Sequence, residues 1–220
     1  AFHIATTGRP GPTLIDVPKD CLTNTMEWYW PTDQEVLDSL PGYRPNVKGH
    51  PRMIKEAARL IMASERPIIY AGGGILKSRA AEALRELAEL IDSYVVTTLM
   101  ARGAFPDNHP LCLGMPGMHG NATAITSMQQ ADLLITLGAR FDDRITGKLS
   151  EFAPRAKFIH IDVDPAEISK NVPAHIPIVG DAKSILAKLR IEYDALAADP
   201  ARLSDWWQRI EGWRAKHPLA

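Results

Sequence analysis

From Pro51 onward the apolar positions fall into two alternating rhythms. Ile54, Ala57, Ala58 and Ile61 recur three or four apart, which marks one helix face, and Pro51 suits a first helical position. The unbroken run Pro67–Ala71 has strand length and leads into Gly72-Gly73-Gly74. Leu84, Leu87, Ala88 and Ile91 then predict a second amphipathic helix, with Ser78 as its side-chain cap. Residues 94–98 read as the next strand, 121–130 as a helix, and Leu133–Leu137 as a strand buried on both faces. Two more strands follow, at 157–163 and Ile176–Val179. Asp164-Pro165-Ala166-Glu167 predicts a capped helix, and Gly180-Asp181-Ala182 opens one that carries Ile185, Leu186 and Leu189. Residues 100–120 read as one long loop of glycine, proline and methionine.

Strands alternating with helices at this spacing imply βαβ units and a parallel sheet. The fold class expected is α/β, a doubly wound, mostly parallel sheet with helices on both faces, and its body spans residues 46–190. The flanks differ. Gly8-Arg9-Pro10-Gly11-Pro12 is a turn, and residues 13–17 read as a short strand ended by Pro18, so 1–20 suggests the end of a preceding domain. Residues 21–45 have little periodicity and several prolines. They read as a linker, with Trp28 and Trp30 on a surface. Residues 191–220 read as a helical linker toward a further domain, with Trp206, Ile210 and Trp213 on one helix face.

Composition narrows the function classes. The 220 residues are 45% hydrophobic with a net charge of -1. There is no basic surplus for nucleic acid and no apolar run of about twenty residues for a membrane span. No secretory leader opens the sequence, and Cys21 and Cys112 read as free thiols of a reducing cytoplasm. The histidines lack metal spacing, no G-x-S-x-G elbow occurs, and Asp142-Asp143 fits a solvated turn better than a cation site.

The chemistry that remains lies at strand ends. Gly72-Gly73-Gly74, Thr97-Thr98, Gly138-Ala139-Arg140, Asp162-Val163-Asp164 and Gly180-Asp181 each follow a strand. In a parallel sheet these carboxyl ends share one edge, where ligands bind. Glycines admit close backbone approach, guanidinium groups suit phosphate, and acids accept from ribose hydroxyls. A nucleotide cofactor is the favoured reading. The alternative is a loop in which Arg140 and Arg144 pair with Asp142 and Asp143.

Several of these segments, in the same order, resemble one family. Gly8-Arg9-Pro10-Gly11-Pro12, Asp16-Val17-Pro18-Lys19-Asp20, Thr97-Thr98-Leu99 and Gly117-Met118-His119-Gly120 resemble the catalytic large subunit of acetohydroxyacid (acetolactate) synthase. Gly138-Ala139-Arg140-Phe141-Asp142-Asp143-Arg144, the stretch from His160 to Ile168, and Gly180-Asp181-Ala182 continue the likeness. The resemblance implies the central, FAD-binding domain of an enzyme dependent on thiamine diphosphate and Mg2+. That enzyme condenses 2-ketoacids, pyruvate with pyruvate or 2-ketobutyrate, in branched-chain amino-acid (isoleucine and valine) biosynthesis. FAD contacts carried over by motif are Gly72, Gly73, Gly74, Thr98, Leu99, Met100, Gly117, Met118, His119, Gly138, Ala139, Arg140, Asp142, Arg144, Asp162, Val163, Asp181 and Ala182. No catalytic or metal-binding residue is implied in this stretch, and no Gly-Asp-Gly motif occurs. Implied partners are flanking domains of the same chain, further copies in a dimer or tetramer, and a small regulatory subunit, all in the cytoplasm. A related FAD-containing carboligase such as glyoxylate carboligase, or a stand-alone nucleotide-binding module, remains the alternative.

Overall fold

The computed structural model describes residues 1–218, so the last two positions of the expected C-terminal linker lie outside the described residues. The chain divides into two compact units, Ala1–Asn46 and the remainder from Val47. The first holds three short helices, α1 (Phe2–Thr6), α2 (Lys19–Thr23) and α3 (Asp33–Asp38). Thr32 and Glu35 form a reciprocal capping box at the start of α3. The strand expected at residues 13–17 is not formed. The backbone there forms no regular structure, and Leu14 is 91% exposed. Branched side chains favour extended backbone, yet a strand is stabilised by cross-strand neighbours, and this segment has none. Trp28 and Trp30 are exposed, as expected, and stack on each other.

The second unit is built around six parallel strands: β1 (Pro67–Ala71), β2 (Val95–Thr97), β3 (Cys112–Gly114), β4 (Leu133–Leu137), β5 (Lys157–Asp162) and β6 (Ile176–Val179). Their order is β3-β2-β1-β4-β5-β6, with every neighbouring pair parallel. This is the doubly wound arrangement, in which chain direction across the sheet reverses between β1 and β4. Continuous apolar runs make β1 and β4 buried at all five positions, because both faces are covered.

The helices follow from their apolar stripes. α4 (Pro51–Ala63) buries Ile54, Ala57, Ala58 and Ile61, and α6 (Ala81–Ile91) buries Leu84, Leu87, Ala88 and Ile91. α9 (Ala182–Asp194) packs on both, closing one layer. Each fully buried isoleucine or leucine contributes about 1.5–3 kcal/mol over its exposed state. On the opposite pleat, Tyr70, Phe158 and His160 meet Phe141. α7 (Ala122–Gln130) connects β3 to β4.

Two start signals behave differently from expectation. Ser78 does not cap α6, which begins at Ala81. It closes the one-turn helix α5 (Gly74–Lys77), its hydroxyl donating back to the Gly74 carbonyl at 2.8 Å. No helix grows from Asp164. Its carboxylate accepts from the Ala166 N–H, but the following residues form turns, and Ser169 sits at a φ of 59°. A cap satisfies the first donors and cannot carry a helix through a left-handed residue.

The long loop is also more structured than expected, since it contains a 3-10 turn at Leu99–Ala101 and the edge strand β3. The remaining α-helices among the described residues are the one-turn α8 (Asp143–Thr146) and α10 (Ser204–Lys216). The tryptophan stripe of α10 is spent on packing. Trp206 and Ile210 are buried, the Trp206 indole donates to the Pro67 carbonyl at 3.2 Å, and that of Trp207 donates to the Asp92 carbonyl at 3.0 Å.

Candidate functional site

The carboxyl ends of five strands stand in a row. Beyond β2 the Thr98 N–H donates to the Ala71 carbonyl at 2.9 Å. Beyond β1, Gly72 donates to Leu137 at 2.8 Å, and beyond β4, Gly138 donates to Ile161 at 2.8 Å. Beyond β6, Gly180 donates to the Asp162 carbonyl at 2.8 Å. These four bonds place residues 98, 72, 138, 162 and 180 side by side in sheet order. With neighbouring strands about 4.8 Å apart, the row spans roughly 19 Å.

The switch point lies at the centre of that row, between Gly72-Gly73-Gly74 and Gly138-Ala139-Arg140. Two of the glycines there serve the protein itself. A Cβ on Gly72 would meet the Gly138 carbonyl oxygen and lie 2.5 Å from Ala139 Cα, and one on Gly74 would lie 2.7 Å from Gly138 Cα. The absent side chains let the two strand ends touch, and Gly74 donates to the Gly138 carbonyl at 3.0 Å. Gly73 is less confined, with Met100 Cβ 3.3 Å from the corresponding position.

After Gly138 the chain makes a turn that carries both candidate arginines. Arg140 pairs with Asp142 at 3.3 Å and Arg144 with Asp143 at 3.9 Å, the pairings of the alternative reading. Both guanidinium groups remain largely exposed. Asp142 is also the side-chain cap of α8, accepting from the Arg144 N–H at 3.1 Å. That bond, followed by a hydrogen bond with Asp143, holds its carboxyl below the usual carboxylate range. Asp181 caps α9 through the Ser184 N–H, with Ala182 buried behind it, and Asp162 accepts from the Asp164 N–H at 2.9 Å. Val163 is half-buried beside it.

The loop after β3 closes on the same turn. The Met118 N–H donates to the Arg144 carbonyl at 3.3 Å, and a Cβ on Gly117 would lie 2.7 Å from that oxygen. His119 is exposed beside it. Leu99, Met100 and Met118 are large apolar side chains left exposed at 69%, 75% and 70%. The Thr98 hydroxyl is buried without a hydrogen-bond partner among the described residues. The backbone N–H groups of Ala139, Arg140 and Phe141 likewise have no acceptor there. The site thus offers apolar surface on the β2 side, exposed cations in the middle and acids on the β5 and β6 side. Among the described residues no group of three potential metal ligands occurs.

Residues 54–189 match the family described as thiamine pyrophosphate enzyme, central domain. The chain belongs to that family. The central-domain match takes in every strand of the sheet and each candidate residue from Gly72 to Ala182. The chain is also similar to proteins named acetolactate synthase. It is 52% identical to one from Mycobacterium bovis, over 100% of this chain and 35% of that protein. An acetolactate synthase large subunit from Corynebacterium glutamicum is 48% identical over 99% of this chain and 34% of its own length. One from Buchnera aphidicola subsp. Schlechtendalia chinensis is 44% identical, over 100% and 38%. The chain therefore spans little more than a third of the length of these relatives.

Sequence reasoning missed the groups that hold the central-domain turn in place. His160 Nε2 lies 3.0 Å from the Ala139 carbonyl, and Asn171 Nδ2 donates to the Phe141 carbonyl at 2.6 Å. Because a carbonyl only accepts, His160 carries its proton on Nε2. Its Nδ1 is buried without a partner among the described residues. Their partners lie 21 and 30 residues away, so no local motif points to them.

Proposed function

We propose that this chain is the FAD-binding central domain of an acetolactate synthase large subunit. The observation that carries the proposal is the row of strand ends with an arginine-bearing turn at the switch point. It is supported by relatives that share the whole chain at about half identity. The groups on hand fit the cofactor. Exposed guanidinium groups of Arg140 and Arg144 suit a diphosphate, and the N–H groups of residues 139–141 suit its oxygens. The unpartnered Thr98 hydroxyl and the apolar Leu99, Met100 and Met118 suit the flavin side. Gly73, Gly117 and His119 suit the approach of a ligand, and Asp162, Val163 and Asp181, at the acidic end of the row, suit a ribose. Gly72 and Gly74 contribute by bringing the two strand ends together. In a condensation with no net redox change, bound flavin supplies structure more than electrons.

In this proposal the full-length enzyme joins 2-ketoacids using thiamine diphosphate and Mg2+ held by other domains. Residues 1–20 close a preceding domain, 21–45 link it to the central body at 46–190, and the stretch from 191 leads onward. Assembly as a cytoplasmic homo-oligomer, with a small regulatory subunit, belongs to the same proposal. Alone, the chain makes no acetolactate from pyruvate, and turnover above a buffer blank with all cofactors supplied would contradict this.

The direct test is an FAD titration of the full-length enzyme with Arg140→Ala and Arg144→Ala, singly and together. Each arginine must exchange its aspartate pairing for the phosphate, and exposed pairs of this kind are worth only about 0–1 kcal/mol. Loss of one charge-assisted phosphate contact should weaken FAD by roughly ten- to hundred-fold, with little change in melting temperature. An unchanged dissociation constant in the double variant would assign the arginines to the surface.

A further inference from the structure

Three consecutive carbonyls of the turn after β4 each face a side-chain donor, and the donors come from three separate places in the fold. His160 on β5 donates to Ala139 at 3.0 Å, and Asn171, in the connection from β5 to β6, donates to Phe141 at 2.6 Å. The Tyr70 hydroxyl on β1 reaches the Arg140 carbonyl at 3.5 Å, at the limit of a hydrogen bond. Tyr70 and His160 also pack against the Phe141 ring, at centroid distances of 5.9 and 5.3 Å. The Ala139 and Phe141 side chains are themselves buried. A turn left to itself would offer these carbonyls to water and sample many conformations. Here the acceptors are consumed by the protein, while the N–H groups of the same residues are not.

We propose that His160 and Asn171 are positioning residues that fix the turn from Gly138 to Asp142 before any ligand arrives, with Tyr70 as a weaker third support. They touch no ligand. They act by removing the ordering cost that a free loop would charge against binding. The inference rests on the nucleotide reading of this edge, and it adds residues that the reading does not include. It also ties the turn after β4 to the connection after β5, so a change at Asn171 acts on groups 30 residues away.

The test combines two readouts on the same variants of the full-length enzyme. Asn171→Asp keeps the shape of the side chain but replaces its amide donor with an oxygen. His160→Leu removes the donor, and His160→Gln restores one. Amide hydrogen exchange of Gly138, Arg144, Ile145 and Thr146, whose N–H groups are bonded at the two ends of the turn, measured without ligand, should speed up by about ten-fold in Asn171→Asp and His160→Leu, the factor expected for one lost hydrogen bond. In His160→Gln it should recover in part. ADP and FAD titrations should then show a loss of about the same factor in the two disruptive variants and recovery in His160→Gln. Unchanged exchange in Asn171→Asp would overturn the proposal whatever the titrations give. Faster exchange with unchanged ADP and FAD dissociation constants would overturn it as well, by showing that the turn's order is irrelevant to binding. If the parent full-length enzyme takes up neither ADP nor FAD, the nucleotide reading falls, and that result is seen in the parent titration before any variant is made. The clamp on the turn is then judged by exchange, and its role in ligand binding falls with the reading.

Discussion

A single methyl group at Gly72 would disturb the centre of the candidate site. Its Cβ would lie 2.5 Å from Ala139 Cα, against backbone that cannot rotate away. Gly72→Ala should therefore cost about 1–3 kcal/mol in a denaturant melt, the range for overpacking, while Gly73→Ala meets only the Met100 side chain and backbone at 3.3 Å or more and should cost less. Equal losses in the two variants would contradict this division of labour. His160 gives a second expectation at this scale. Burial lowers its pKa below 6.5, and the facing Asp162 and Glu167 carboxylates and the Ala139 carbonyl offset this only in part. The unfolded chain binds a proton that the folded chain refuses. The contribution of neutral His160 is thus fully present above about pH 6.5 and declines as pH falls from there toward the folded pKa. Thermal melts between pH 5 and 8 should show a slope in that window that flattens in His160→Gln. An identical slope in the variant would show that other groups set it.

Elements made of continuous apolar sequence were legible, and those that depend on distant partners were not. β1 and β4 have the bounds that their apolar runs imply, because burial on both faces leaves no polar position to blur them, and β6 has its expected bounds at the sheet edge with Pro177 exposed. β3 is three residues inside a glycine- and proline-rich loop, and only pairing with β2 makes it a strand. Residues 13–17 show the converse, a strand-like pattern with no neighbour to pair with. The site divides the same way. Glycines and arginines at strand ends could be read from their types, whereas the packing of Gly72 on Ala139 and the donors His160 and Asn171 required the sheet order. α10 adds a prediction at this scale. Arg214 donates to the Pro110 carbonyl at 3.0 Å and the Cys112 carbonyl at 2.7 Å, pairs with Glu211, and lies over the Tyr94 ring. Arg214→Ala takes the side-chain donor from both carbonyls, while Glu211 keeps the Tyr94 hydroxyl, and should cost about 1–3 kcal/mol. Faster hydrogen exchange should appear first along Cys112–Gly114, and uniform loss of protection across the sheet would count against a local role.

At the scale of the whole molecule, the unit from Val47 onward contains all six strands and the helices that cover them. A polypeptide of residues 47–218 should melt cooperatively on its own, followed by circular dichroism. A broad, non-cooperative transition would show that the first 46 residues are needed for the core. On the proposed function, that unit should hold FAD less tightly than the full-length enzyme does, since parts of the relatives' length beyond this chain would no longer contribute contacts. The four backbone bonds that join the strand ends carry one more consequence. Acting in series, they make the edge a ruler whose graduations are strand spacings, and no side-chain substitution can change them. A protein of this build that takes up a longer or shorter ligand must therefore differ at the two ends of the ruler, in the connections that follow Thr98 and Gly180. The middle, where Gly72 and Gly138 touch, should tolerate almost no variation.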